Sequence, residues 1–391
     1  SVHDEISGAD LGLNNPATTY TLTSWKNAPM RFDLAGNLTS VSDRIGNTQT
    51  IARDVGNANR ISSVTDTLGR SISFGYDSQN RITSITSNPS GASLSYTYDA
   101  HCGTGNLCSA TMPDGKTWTY EYTDADPHNL TRVVDPLGDA EEINTYYGAG
   151  PDADKVMQQS TPSSQNVLNF SYSSGSTTVT DGLSRTTTYS FDPKTLLLSS
   201  ISGPGCGCGG GQTQSFIYDN LMRKKSSTDG AGATHAIAWT YGRDVLSAVH
   251  YEGFQELIRS YPSATSRSEP LSSGVNRTTS WTYYPISDPR QDLIQTETVP
   301  SADTSGQNRV TTLNYSTNGL LASEVVQGRI AGVLTSYTTS YTYNLDGKGR
   351  IATINGPRTD VNVTTYTYFS DNDSDLARRG QLQTVTDAVG N

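Results

Sequence analysis

Apolar positions along this chain fall into two short recurring arms rather than long runs. One arm alternates aromatic, polar, aromatic: Phe74/Tyr76, Tyr96/Tyr98, Tyr120/Tyr122, Phe170/Tyr172, Tyr189/Phe191, Phe216/Tyr218, Trp239/Tyr241, Trp281/Tyr283, Tyr341/Tyr343 and Tyr366/Tyr368. A spacing of two puts both rings on one face of a strand and leaves Thr and Ser for the other. The second arm carries aliphatics three apart, as in Leu38/Val41, Ile61/Val64, Ile82/Ile85, Leu130/Val133, Ile351/Ile354 and Leu382/Val385. That spacing does not suit one face of a flat strand. Either a bulge shifts the register or the second residue packs on the opposite face.

Asp-led turns such as "SDRIGN", "TDTLGR", "VDPLGD", "TDGLSR", "TDGAGA" and "TDAVGN" join the arms. Asp opens such turns by accepting from backbone N–H groups two residues on, and Gly supplies positive φ near the end. At the other end of each aromatic arm stands a second polar corner. It opens at Phe32-Asp33, Tyr76-Asp77, Tyr98-Asp99, Phe191-Asp192 and Tyr218-Asp219, with looser versions at Tyr122, Tyr147, Tyr172, Tyr241, Tyr261, Tyr284, Tyr315, Tyr343 and Tyr368. Counting a degenerate corner at Arg53-Asp54, these corners recur from Phe32 to Tyr368 at a period of about 24 residues, the range of solenoids and arrays. Helical periodicity is absent. The pattern predicts an all-β, antiparallel array of hairpins over residues 25–391, about fourteen to fifteen repeats, after an irregular lead-in at 1–24. The array breaks off within a repeat at "TDAVGN", so the sequence reads as part of a longer polypeptide.

Composition changes the picture only in what it excludes. Hydrophobic residues make up 34% and charged residues 17%. The 22 Tyr, 7 Phe and 4 Trp argue against disorder and for a Thr- and Tyr-rich sheet. A net charge of −11 opposes binding to nucleic acid or an anionic membrane. No apolar run reaches the length of a membrane span, and the first ten residues lack the pattern of an export signal.

The segments "FDLAGNLTSVSDRIGN", "YDSQNRITSIT" and "YDAHCGTGNLCSATMPDGKTWTYEYT" resemble the YD repeats of RHS (rearrangement hot spot) proteins, a family that includes teneurins and the cocoon subunits of insecticidal toxin complexes. The resemblance spans residues 25–391 and is loosest from Asn144 to Ser340. It implies a sheet strip that spirals into a hollow shell or an open tube, on the outside of a cell, with bacterial-type secretion and the export signal elsewhere in the polypeptide. In bacterial members the shell commonly encloses a toxin; teneurins use it as an adhesion scaffold. The Asp-Pro-rich self-cleaving segment of toxin-bearing members has only "DPLG", Asp135–Gly138, as a counterpart, and that is an ordinary repeat turn.

Candidate chemistry is sparse. Cys102 and Cys108 flank an unusually long corner, and Cys206 and Cys208 lie in "GPGCGCGGG". An even number of cysteines outside the cell favours disulfides. Cys102–Cys108 is one pairing, a cross-pairing with Cys206 and Cys208 another; metal binding by the four, or by three with His101, is the rival. "DNDSDLARRG" places Asp371, Asp373 and Asp375 like the start of a calcium loop, then departs at Leu376 and Leu382. His3, His101, His128, His235 and His250 are scattered, and Glu121, Glu141 and Glu142 would need to converge in space to act as a carboxylate pair. Trp118 and Trp25 are the rings that a carbohydrate-binding platform would use. The sequence therefore predicts a non-enzymatic extracellular scaffold without a cofactor, whose partners are its own repeats or copies. A shell around a toxin and a carbohydrate-binding adhesin are the alternatives.

Overall fold

A computed structural model describes residues 5–8, 20–23, 29–122, 126–162, 166–204, 212–220, 222–229, 237–241, 246–251, 254–259, 264–272, 275–285, 288–291, 293–301, 308–330, 332–358 and 362–391. Thirty strands form one sheet. Each is antiparallel to the next in sequence, from Glu5–Gly8 paired with Tyr20–Thr23 to Val363–Tyr368 paired with Leu382–Thr386. No helix occurs among the described residues.

Two boundaries differ from the sequence expectation. The lead-in is not irregular throughout, because Glu5–Gly8 and Tyr20–Thr23 are already strands of the sheet. The array is also not continuous. Among the described residues, Leu246–Tyr251 and Phe254–Arg259 pair only with each other, and Ile237–Tyr241 pairs directly with Ala264–Ser272 beyond them. That hairpin is an insertion between two neighbouring strands of the main sheet.

The aliphatic spacing is explained by bulges. Phe74 faces Ile85 and Tyr76 faces Ile82, so three residues of one arm oppose four of the other, with a register shift between Gly75 and Tyr76. The same shift brings Leu38 and Val41 opposite Phe32 and Met30, and Ile351 and Ile354 opposite Tyr343 and Tyr341. Each bulge adds one residue, which returns the second aliphatic to the aromatic face. The opposite face carries Thr and Ser pairs across the strands, including Thr97···Ser109, Thr342···Thr353 and Thr367···Thr384, each at 2.6 Å.

The hairpin connections lie on two edges of this strip. One edge carries the Tyr-Asp corners, the other the Asp-Gly turns. The strip winds round until its turn edge meets its own corner edge. Arg44 in the turn Asp43–Asn47 donates to the Pro289 and Gln291 carbonyls at 3.3 and 2.9 Å, and Asn47 donates to the Lys348 carbonyl at 3.2 Å. Ile45 occupies the space beside Gly349, and Leu68 the space beside Gly380, so that a Cβ at either glycine would overlap the incoming side chain. From Thr48–Asp54 to Val333–Tyr343, twenty-three strands of the ladder separate Ile45 from Gly349. From Ser71–Tyr76 to Val363–Tyr368, twenty-three also separate Leu68 from Gly380. At roughly 4.8 Å per strand, one revolution measures about 110 Å, a ring about 35 Å across.

This is a single-layered wall. The chain exposes 23874 Å², whereas a compact monomer of its 41.9 kDa exposes about 15,000 Å². Among the described residues, buried side chains concentrate at Cys102, Asn106, Cys108, Ser109 and Ala110, with Val134, Ala140, Asn144 and Tyr284.

Candidate functional site

The Tyr-Asp corner is the feature that repeats, and its geometry shows what each residue contributes. The ladder between Ile82–Asn88 and Ser93–Asp99 stops at Ser84 facing Ser95, which leaves the Ile82 carbonyl without a backbone partner on that side. The Tyr98 hydroxyl donates to it at 2.8 Å. The same bond recurs from Tyr76 to Ile61, Tyr146 to Leu130, Tyr172 to Val156, Tyr241 to Lys224, Tyr283 to Ala264, Tyr343 to Leu321 and Tyr368 to Ile351, all between 2.6 and 3.0 Å. Each acceptor opens the second arm of its hairpin, and all but Lys224 are aliphatic. Every such bond therefore ties one repeat to the one before it and satisfies a carbonyl that the bulged arm leaves over.

The aspartate organises the corner itself. Asp77 Oδ1 accepts from the backbone N–H groups of Gln79 and Arg81, both at 2.9 Å. Asp33 does the same with Ala35 and Asn37. On the other edge Asp43, Asp66, Asp135, Asp181 and Asp387 hold their turns by the same two bonds. Burial pushes the Asp77 carboxyl up, but the backbone N–H and guanidinium of Arg81 outweigh it and hold the carboxyl below its usual range. Asp192 takes Lys194 and Thr195 instead, and its carboxyl is lowered chiefly by the Thr195 N–H and hydroxyl. Asp219 accepts from the N–H of Arg223 at 3.0 Å and from its guanidinium at 2.7 Å.

A cation completes the unit. Arg81 bonds Asp77 at 2.8 Å, reaches Asp99 of the next corner at 2.9 Å and lies 4.4 Å from the centre of the Tyr98 ring. Arg350 likewise joins Asp346 and Asp371 at 2.9 and 2.6 Å beside the Tyr368 ring. Arg223 lies over Tyr241 and Lys155 over Tyr172. The ring, the hydroxyl, the carboxylate and the cation thus act together as a clasp between consecutive repeats.

Not every sequence-derived residue takes this part. Phe32 and Phe191 have no hydroxyl and supply only a ring. Asp99 has φ +66° and does not hold its own turn as Asp77 does; it receives Arg81 and the Gly105 N–H, which hold its carboxyl at about 2. At the two double-tyrosine corners the sequence pattern points to Tyr147 and Tyr284, yet Tyr146 and Tyr283 close the clasp. Tyr147 and Tyr284 reach forward instead, to the Phe170 and Leu313 carbonyls, with edge contacts to Tyr172 and Tyr315. The doubled tyrosine itself was the signal for two roles.

Cys102 and Cys108 are joined by a disulfide, with S–S 1.99 Å. Around it Asn106 donates to the Cys102 carbonyl at 2.7 Å and pairs through Oδ1 with His128 Nδ1 at 2.8 Å. Cys206 and Cys208 lie outside the described residues, as do Trp25, His3 and His235. Asp371 pairs with Arg350, Asp373 with Arg378, and Asp375 accepts from the Ala377 N–H and pairs with Arg378. Among the described residues no group of three or more His, Cys, Asp or Glu side chains is arranged to hold a metal. Glu121 pairs with Arg132, and Glu142 accepts from Asn144. Glu141 and Glu142, adjacent on a strand, point to opposite faces. Trp118 sits two residues before Tyr120 on the aromatic face, half-buried.

Residues 14–206 match the family model described as Teneurin YD-shell. This match, over just under half of the chain, supports an RHS/YD-repeat family. No curated protein matches it. Solved structures with similarity include TcdB2-TccC3-Cdc42, at 13% identity and TM-score 0.37, covering 93% of this chain and 24% of that one. TcdB2-TccC3 matches at 12% identity and TM-score 0.36, covering 98% and 27%. The Tc holotoxin pore of Photorhabdus luminescens matches at 13% and 0.40, covering 88% and 21%. The YD-repeat chain thus spans about a quarter of the length of these structures.

Proposed function

We propose that this chain is a non-enzymatic scaffold, an extracellular YD-repeat wall around a water-filled space. The observation that carries this is the seam: two turns of the strip dock onto two of its own corners after the same number of strands. A sheet that meets itself edge to edge encloses a lumen and leaves both faces of the wall uncovered, in agreement with its large exposed area. The clasps support the same reading. Their carboxylates are engaged by backbone N–H groups and arginines, and their hydroxyls by backbone carbonyls, which leaves these groups building wall rather than chemistry. A guest in the lumen is the finer part of the proposal. The shell family supports a container.

Electron-microscopy class averages of the purified chain test the scaffold. Rings or cylinders with a dark centre and a wall one sheet thick are the expected result; solid globules would overturn it.

A further inference from the structure

The seam has a simple chemical rule. Eight corners carry a residue with positive φ just before their last pair: Gly36, Asn80, Asp154, Leu196, Met222, Gly319, Gly349 and Gly380. Where this residue is Gly319, Gly349 or Gly380, a side chain of the turn edge lies in the space a Cβ would take: Arg44, Ile45 and Leu68 respectively. The fourth glycine of the series, Gly36, has φ +83° and no atom within 4 Å of its missing Cβ. It is an empty socket of the same form.

The turn edge also holds unused knobs. Ile45 and Leu68, which stand before the glycine of "SDRIGN" and "TDTLGR", are half-buried in the seam. The equivalent Leu137 of "VDPLGD" and Leu183 of "TDGLSR" are 86% and 76% exposed, although their turns are built by the same two Asp bonds. An aliphatic side chain at a turn tip gains nothing from water, and burying it is favourable.

We propose that a second copy of this chain covers these residues, the Leu137 and Leu183 turns of one copy docking on the Gly36 corner edge of the next. The inference rests on the scaffold reading above. It extends an interface that the chain already makes with itself, and a single sequence offers both halves of it. Because turn edge meets corner edge, the contact is heterologous and adds copies in one direction along the spiral axis, giving a longer tube.

Sedimentation velocity of the purified chain across a hundredfold range of concentration tests this. Association that grows with concentration is expected. Leu137→Asp/Leu183→Asp should weaken it at least tenfold, and Gly36→Asn, whose side chain fills the socket in a conformation Asn tolerates, should do the same. Far-UV circular dichroism and melting serve as folding controls for both variants. A chain that stays monomeric throughout, or association that neither variant changes, overturns the proposal. Hollow single particles in the monomeric fraction would then leave the scaffold reading standing, whereas solid ones would remove both.

Discussion

Tyr98 shows how much of this fold depends on single hydroxyls. Its ring packs in the aromatic row, and burial pushes its phenol up from the ordinary value. Its O–H is the partner of the Ile82 carbonyl, which has no backbone partner on that side. Tyr98→Phe keeps the ring and strands that carbonyl, so equilibrium unfolding in urea should show a loss of about 1–2 kcal/mol. The carboxylates predict the response to acid. Asp99 is held at about 2 by Arg81 and the Gly105 N–H, and Asp288 at about 2 by Arg290. Asp33 is lowered chiefly by the Asn37 N–H and side chain. A carboxyl whose folded value lies below its unfolded value of about 3.9 adds stability above that pH and loses it as pH falls towards the folded value. The melting temperature should therefore hold from pH 7 to 5 and fall between pH 4 and 2, with a smaller fall in Asp99→Asn. At the alkaline end, burial raises Tyr98, Tyr172, Tyr241 and Tyr368, so their contribution is present below about pH 10 and fades as pH rises through their raised values.

At the scale of the element, the hairpins were legible in the sequence because their signals are local. Alternating rings mark one strand, and Asp with a following Gly marks a turn within five residues. The spacing of Ile82 and Ile85 was readable as an anomaly but open between two explanations, since a bulge and a face change give the same sequence. Only the facing pairs, Tyr76 with Ile82 and Phe74 with Ile85, decide for the bulge. The corner at Asp99 is a further case. Two cysteines announced a constraint, whereas the role of Asn106 in linking the Cys102 carbonyl to His128 depended on residues that only folding brings together. Among the described residues this corner is the most deeply covered, with Cys108 fully buried. Replacing both cysteines by serine should speed amide exchange across residues 99–110 and leave the corner at Asp77, which has no such brace, unchanged. Uniform exchange at both corners would show that the disulfide does not stiffen the site.

At the scale of the whole molecule, the seam was invisible in the sequence. Ile45 and Gly349 lie on the same repeat lattice, but nothing local says that twenty-three strands make one revolution; strand twist and the repeated bulges set that number together. Each knob contact is small, so the closure depends on a few side chains at a glycine. Gly349→Leu should open the seam there, because even its Cβ would meet Ile45, and the expected result is a larger hydrodynamic radius with little loss of strand content. The measurement that tests the spiral most directly is a cross-link across the seam. Ile45 and Leu320 both reach the space beside Gly349, so Ile45→Cys/Leu320→Cys, in a Cys206→Ser/Cys208→Ser background, is treated with a short bismaleimide and read by intact mass and peptide mapping. The spiral predicts an intramolecular link between positions 45 and 320 in most molecules, and none in the control pair Ile45→Cys/Leu196→Cys. Absence of the 45–320 link, with both thiols shown to be reactive, would contradict it.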